Sequence, residues 1–279
     1  MIINELATDY PLLYLNPDAD SMEEYRRVVL KGGDPEEKSL SHYSGDSFDD
    51  LRIMDTPVGP VRVATFGNRH DFELVMRGFM AAKEGPEKKI PETQGAAMLT
   101  AFNWNRIHTH LAGFPEEEQD AEFKRFISVR ENYVDTLVVL SRGPYSNLAS
   151  SEAGFPEDEW LSLSDTIRRY HELTHVICRK LYPDQIDAVR DELVADVVGI
   201  YAALGSFDIE LEKKFLGISG DIYAGGRLEN YTDEPEKHIK DICRELEDMR
   251  SAVASAGKKE ALDIIPVLMS LRGKGDKEA

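Results

Sequence analysis

The sequence predicts an α+β fold, with a small N-terminal sheet region and a helical C-terminal half. Runs of β-branched residues at 58–67 and 134–143 indicate strands. Apolar residues spaced three and four apart over 165–182 and 185–204 indicate two strong helices. The composition, 42% hydrophobic and 30% charged over 279 residues, is that of a globular protein large enough to need no cross-links.

Charge and composition exclude several classes of function. The net charge is −19, so we expect no binding to nucleic acid and none to an anionic membrane surface. The first residues lack the basic and apolar segments of a signal peptide, and no apolar run is long enough to cross a bilayer. Two cysteines form no disulfide framework. The sequence therefore predicts a cytoplasmic protein.

Composition divides the chain into four regions. Residues 1–55 are rich in Asp, Glu, Pro and Gly, which predicts a loop-rich N-terminal segment. Residues 56–150 are a predicted α/β region whose best strand, 134–143, is a candidate edge strand. Residues 151–270 are predicted to be helical, and 271–279 to form a disordered tail.

The limits of the two strong helices have identifiable signals. Ser164 or Asp165 can cap the first helix, and Pro183 stops it because proline has no backbone N–H. Asp184 can cap the second helix, and Gly205 ends it. The two helices are therefore expected to form an antiparallel hairpin with a short turn.

The hairpin carries four titratable side chains on its inner faces. His171 and His175 are four residues apart on the apolar stripe of the first helix, and Glu192 and Asp196 are four apart on the second. His175 precedes the turn by as many residues as Glu192 follows it, about 12 Å along each helix at 1.5 Å per residue. His171 is level with Asp196 by the same count. Two histidines therefore face two carboxylates.

A divalent metal would make this arrangement stable, because burying polar groups without partners costs several kcal/mol each. Two imidazoles and one carboxylate, from His171, His175 and Glu192, are three ligands for one tetrahedral zinc ion with a position left for water. Asp196 can then fix the tautomer and orientation of His171 through the other ring nitrogen. Glu172 projects towards the open position, where it can take a proton from the zinc-bound water.

The same residues resemble a known family. The stretch HELTH at 171–175 matches the H-E-x-x-H motif of zincin metallopeptidases. The stretch ELVAD at 192–196 resembles the E-x-x-x-D segment of the gluzincin branch, typified by thermolysin-like peptidases. The resemblance covers about residues 165–205. It implies a zincin-like fold and a cytoplasmic zinc metallopeptidase that hydrolyses peptides or proteins.

The resemblance also implies roles for single residues. His171, His175 and Glu192 would be the zinc ligands, Glu172 the general base and Asp196 the partner of a ligand histidine. Zincins need a donor that stabilises the oxyanion of the transition state. Tyr223, Tyr231 and His238 are the candidates within reach along the chain, and we choose Tyr231. The strand before the motif would be the edge to which a substrate peptide adds.

Three alternatives remain at the level of the sequence. The hairpin could be a core network of charged histidines with Glu and Asp, although buried ion pairs are rarely better than apolar packing. Residues 172–175 also fit the E-x-x-H motif of di-iron bundles, which use two such motifs where this sequence has one. The third alternative is a non-catalytic zincin-like metal-binding protein that acts as an interaction module.

Overall fold

The structure is a computed structural model, and it describes residues 1–18, 21–35, 40–84, 89–185, 187–220 and 222–271, without the side chains of 81–84. The fold is α+β, as the sequence predicts. The chain divides into two compact units. The N-terminal unit comprises Met1–Met54 and Val61–Arg142, and the C-terminal unit comprises Asp55–Pro60 and Gly143–Ala279.

The N-terminal unit contains a four-stranded sheet. Its strands are β1 (Asp50–Met54), β2 (Val61–Phe66), β3 (Ala96–Phe102) and β4 (Val134–Ser141), in the order β1-β2-β4-β3. β2 and β4 run parallel, and the other pairs are antiparallel. β4, the candidate edge strand, therefore lies inside the sheet, and its edge position was predicted wrongly. Its continuous apolar run explains this, because strands covered on both faces lack alternation.

The N-terminal unit also contains five α-helices among its described residues. They are α1 (Ile3–Asp9), α2 (Met22–Tyr25, continued by a π-helix at Arg26–Leu30), α3 (Arg69–Glu84), α4 (Trp104–Leu111) and α5 (Glu116–Ile127). α1 and α2 lie within the segment predicted to be loop-rich. Ile3, Leu6, Ala7 and Tyr10 are buried because they share one face of α1 at helical spacing, a pattern that the polar composition conceals. That segment belongs to the same unit as the sheet, and its residues 36–39 lie outside the described residues.

The C-terminal unit is mainly helical. Its elements are α6 (Ser150–Ala153), α7 (Glu157–Leu181), α8 (Ala188–Leu204), α9 (Ile209–Leu216), β5 (Ile218–Ser219), β6 (Ile222–Tyr223), α10 (Pro235–Ser255) and α11 (Ile265–Ser270). Its apolar core includes Trp160, Leu193, Val197 and Phe215. Among the residues that the structure describes, no helix is both long and apolar enough to span a membrane. The predicted tail lies outside this part of the chain from residue 272 onwards.

α7 and α8 form the predicted hairpin with different caps. α7 begins at Glu157, well before Ser164, whose hydroxyl instead accepts a hydrogen bond from the backbone N–H of Tyr145 at 2.9 Å. Asp187, rather than Asp184, caps α8 by accepting from the backbone of Arg190 at 2.9 Å. Gly205 ends α8 in the left-handed conformation, which glycine adopts without strain.

Candidate metal centre

Three side chains of the α7–α8 hairpin converge on one point. His171 and His175 follow each other by one turn of α7, and their Nε2 atoms lie 3.0 Å apart. From α8, Glu192 places Oε2 3.4 Å from Nε2 of His171 and Oε1 3.5 Å from Nε2 of His175. A ligand atom of each residue lies within 4.8 Å of the others. The structure therefore brings together the three ligands that the sequence predicts.

The second ring nitrogen of each histidine lies beside an aspartate of α8. Nδ1 of His171 is 2.8 Å from Oδ1 of Asp196, as the hairpin count predicts. Nδ1 of His175 is 2.9 Å from Oδ2 of Asp191, in an ion-pair contact rather than an aligned hydrogen bond. With both Nδ1 atoms against carboxylates, the proton of each neutral ring belongs on Nδ1, and the two Nε2 lone pairs face each other.

Asp196 is the most enclosed member of the cluster. Its side chain is 0% exposed, and two residues that the sequence reasoning missed contact it. Tyr145 donates its hydroxyl proton to Oδ1 of Asp196 at 2.5 Å, and Arg227 donates from one guanidinium nitrogen to Oδ2. The other guanidinium nitrogen of Arg227 donates to the Tyr145 hydroxyl oxygen at 2.9 Å. The charge of the buried Asp196 carboxylate is therefore compensated by the guanidinium of Arg227 rather than by solvent.

Glu212 of α9 is a second fully buried carboxyl beside Asp196. Burial, together with the charge of Asp196, raises the pKa of Glu212 well above its ordinary value. As a carboxylate, Glu212 would have no hydrogen-bond partner for either oxygen among the described residues. As a neutral acid it can donate its proton to Asp196.

The remaining predicted residues divide into those near the cluster and those outside it. Glu172 is half-buried on α7 and interacts with the charge of Arg168, and no hydrogen bond involves its carboxylate among the described residues. Tyr231 lies near Glu192, and burial together with that carboxylate raises the pKa of its hydroxyl. Tyr223 instead uses its hydroxyl within its own loop, on Gly226 and Glu229, and His238 is exposed on α10.

The charges of the cluster shift its pKa values in opposite directions. Burial lowers the pKa of His171, but Asp196 and Glu192 outweigh it and raise that pKa to about 10 in the metal-free chain. Burial raises the pKa of Glu192, but the hydrogen bond and charge of His171 bring it below its ordinary value. Arg227 and His171 likewise hold the pKa of Asp196 well below its usual range against the effect of burial. Both carboxylates are therefore ionised at neutral pH.

Sequence reasoning missed four residues of the cluster for different reasons. The count along the hairpin pairs the histidines with Glu192 and Asp196 and takes no account of Asp191. Tyr145 and Arg227 come from a turn and a loop, whose paths no periodicity predicts. Glu212 did carry a signal, because it shares an apolar stripe of α9 with two residues three and four positions on, Phe215 and Leu216.

Comparison with known proteins gives one family. The model of a family described as "Family of unknown function (DUF7005)" matches residues 15–256. No curated protein and no solved structure matches the chain. The matched residues are most of the chain, so this protein belongs to that family.

Proposed function

We propose that this member of a family of unknown function is a zinc-dependent hydrolase that acts on peptides or proteins. The observation that carries the proposal is the pair of Nε2 atoms, 3.0 Å apart, with the Glu192 carboxylate beside both. Two lone pairs and an anion at this distance repel one another unless a cation lies between them. A proton is one such cation, and a divalent metal is the other.

The dimensions of the cluster favour the metal. A tetrahedral zinc ion with ligand bonds of about 2.0–2.1 Å separates its ligand atoms by about 3.3–3.4 Å. The distances of 3.0, 3.4 and 3.5 Å in the cluster are close to that spacing. With both imidazoles neutral, as metal ligands are, Asp191, Glu192 and Asp196 against Arg227 leave two negative charges, which one divalent cation would neutralise.

Each proposed ligand histidine also has the outer partner that metal-bound imidazoles use. A carboxylate on Nδ1 fixes the tautomer and ring orientation and makes Nε2 more basic. Asp196 does this for His171, and Asp191 contacts His175 in the corresponding place. Two such pairs on one hairpin support a metal centre over a histidine–carboxylate core network.

Glu172 and Tyr231 would perform the proton transfers and the charge stabilisation. A zinc ion held by His171, His175 and Glu192 would act as a Lewis acid, lowering the pKa of a bound water and polarising a carbonyl oxygen. Glu172 accepts a proton as water adds to the carbonyl carbon, and it returns that proton to the amine as the C–N bond breaks. Burial raises the pKa of Tyr231, so its hydroxyl keeps its proton and can donate to the oxyanion.

The resemblance of HELTH and ELVAD to gluzincins supports the peptidase reaction and a zincin-like fold. The predicted substrate edge has no such support, because β4 is an interior strand. A cytoplasmic location fits a chain in which Cys178 and Cys243 form no disulfide.

The test compares Glu172→Gln with the wild type. Both proteins should carry about one zinc by elemental analysis, and only the wild type should cleave a peptide library, because the amide of Gln cannot accept the proton. Glu159→Gln, at an exposed position of the same helix, is the matched control and should cleave as the wild type does. Equal cleavage by Glu172→Gln would refute the assignment of the base. Zinc in the wild type without any cleavage would favour the non-catalytic interaction module.

A further inference from the structure

We propose that Tyr145 and Arg227 are positioning residues of the metal centre. They fix the Asp196 carboxylate, which in turn fixes the ring of His171 with Nε2 towards the metal. The inference rests on the metal binding in the proposed function and extends the centre beyond α7 and α8. It assigns a role to two residues that no motif contains.

The hydrogen bonds around Asp196 have a fixed direction. Tyr145 has one hydroxyl proton, and Asp196 Oδ1 takes it at 2.5 Å. The Tyr145 oxygen is then free to accept from Arg227 at 2.9 Å. His171 approaches the same Oδ1 through Nδ1 at 2.8 Å, and Arg227 occupies Oδ2. Each donor restricts the rotation of the Asp196 carboxylate. Tyr145, His171 and Arg227 together therefore fix its plane.

Arg227 suits this position by shape as well as by charge. Its planar guanidinium reaches Asp196 with one nitrogen and Tyr145 with the other, whereas a lysine ammonium offers its protons from a single nitrogen without this fixed planar geometry. Its carbon Cζ also lies 5.0 Å from the centre of the Tyr145 ring. Since Asp196 is 0% exposed, the guanidinium replaces the water that would otherwise solvate the carboxylate.

The backbone on the Tyr145 side is held in an unusual conformation. Ser146 and Asn147 both have φ of +55°, and among the described residues they alone have positive φ without being glycine. Such residues persist only where the surroundings hold them, and they are common at functional sites. The N–H of Tyr145 donates to the buried hydroxyl of Ser164 at 2.9 Å, which fixes the start of this turn. The conformation of this turn therefore directs the side chain of Tyr145 towards Asp196.

The backbone on the Arg227 side is held by three glycines. A Cβ on Gly217, whose φ is +77°, would lie 2.3 Å from the carbonyl oxygen of Gly225, and one on Gly226 would lie 2.5 Å from the nitrogen of Gly217. The N–H of Ala224 donates to the carbonyl of Gly217 at 2.7 Å. Two backbone segments therefore pack without side chains between them, directly before Arg227. An added methyl group would separate them and withdraw the arginine.

The experiment measures zinc affinity by competition with a chromophoric chelator, so it needs no substrate. Tyr145→Phe, Arg227→Met and Gly226→Ala should each weaken binding, by about 10–100-fold for the arginine, as outer partners of metal ligands do. Arg227→Lys should recover part of the loss, because it restores the charge but not the planar pair of donor nitrogens. Arg244→Met is the matched control, since Arg244 is an exposed arginine paired to Asp241 on α10, and it should bind as the wild type does.

The visible absorption of the cobalt-substituted protein separates positioning from general stability. Tyr145→Phe removes one oxygen atom and should fold, yet its cobalt bands should shift because the ring of His171 is less constrained. Wild-type affinity and an unchanged spectrum in both Tyr145→Phe and Arg227→Met would overturn the inference. A wild type that binds zinc but cleaves no peptide would refute the proposed hydrolysis while leaving these affinities decisive. A wild type that binds no zinc would overturn both.

Discussion

Each of the two units contains an aspartate that accepts hydrogen bonds from a tyrosine and an arginine, and the two aspartates differ in their third partner. In the N-terminal unit, Asp135 accepts from the hydroxyl of Tyr10 at 2.8 Å and from Arg106 at 2.7 Å. Its third partner is the amide of Asn103, at 3.1 Å, which also caps α4. The Asp135 side chain keeps 24% of its surface exposed.

In the C-terminal unit, Asp196 has a tyrosine and an arginine in the same roles, and its third partner is the imidazole of His171. The amide of Asn103 extends the first network only to the backbone of α4, whereas the imidazole of His171 has a second nitrogen that can bind a metal ion. The Tyr–Asp–Arg group is thus a general way in which this chain holds a carboxylate. Asp196 is part of a candidate metal centre, and Asp135 is not, because Asp196 is completely buried and contacts the imidazole of His171.

The largest effect on zinc binding is expected when a proposed metal ligand of the C-terminal unit is removed. Glu192→Ala should weaken zinc binding by more than about 100-fold, beyond the 10–100-fold expected for Asp196→Asn, which changes only an outer partner. Asp196→Asn should also lower the free energy of unfolding by about 1–3 kcal/mol, because it leaves the partly buried Arg227 without its charged acceptor. Chelator competition gives the ranking of the two affinities, and denaturant unfolding gives the stability. The reverse affinity ranking would make Asp196 the ligand.

The pH dependence should sharpen the comparison, because only the C-terminal network contains the imidazole. The pKa of His171 is raised from 6.5 to about 10 in the folded, metal-free chain. Its protonation therefore stabilises that chain fully below about pH 6.5, and the contribution is lost as the pH rises to about 10. Zinc must displace this proton, so affinity should rise about tenfold per pH unit between about pH 7 and 9. Affinity that stays constant over this range would mean that His171 is already neutral there.

The smallest effect on metal is expected from the N-terminal network. Asp135→Asn should lower the free energy of unfolding by about 1–3 kcal/mol, because Arg106 and Tyr10 lose a charged acceptor. Its zinc affinity should equal that of the wild type, since no ligand depends on Asp135. Thermal unfolding and the same chelator competition provide both values. A clear loss of zinc would show that the two networks are not independent.

The residues at the centre of the cluster can be predicted from the sequence, because their positions follow from helical periodicity. His171, His175, Glu192 and Asp196 lie four apart on facing stripes, and any short turn near Pro183 brings them to the same height. The true cap at Asp187 shifts the start of α8 by three residues without changing this match. Periodicity tolerates an error in the turn, so this part of the site could be predicted.

The rest of the site and of the fold depends on long-range packing that local patterns do not encode. Tyr145 and Arg227 reach Asp196 from 51 and 31 positions away along the chain. The β-branched residues of 134–143 predict an extended strand. Its position inside the sheet, however, depends on which other strands pair with it. Proline and acidic residues near the N-terminus also concealed α1, because composition averages over the spacing of Ile3, Leu6 and Tyr10.

The closeness of the proposed ligands along the chain has a consequence for assembly. His171, His175 and Glu192 come from a single hairpin, so an ion that joins them closes a loop of only about 20 residues, at a small cost in chain entropy. Contacts of this kind belong to the local class that forms early in folding. The contacts of Tyr145 and Arg227 span longer stretches of chain. Capture of such an ion would therefore require the α7–α8 hairpin alone, and Tyr145 and Arg227 would complete the centre as the surrounding elements assemble.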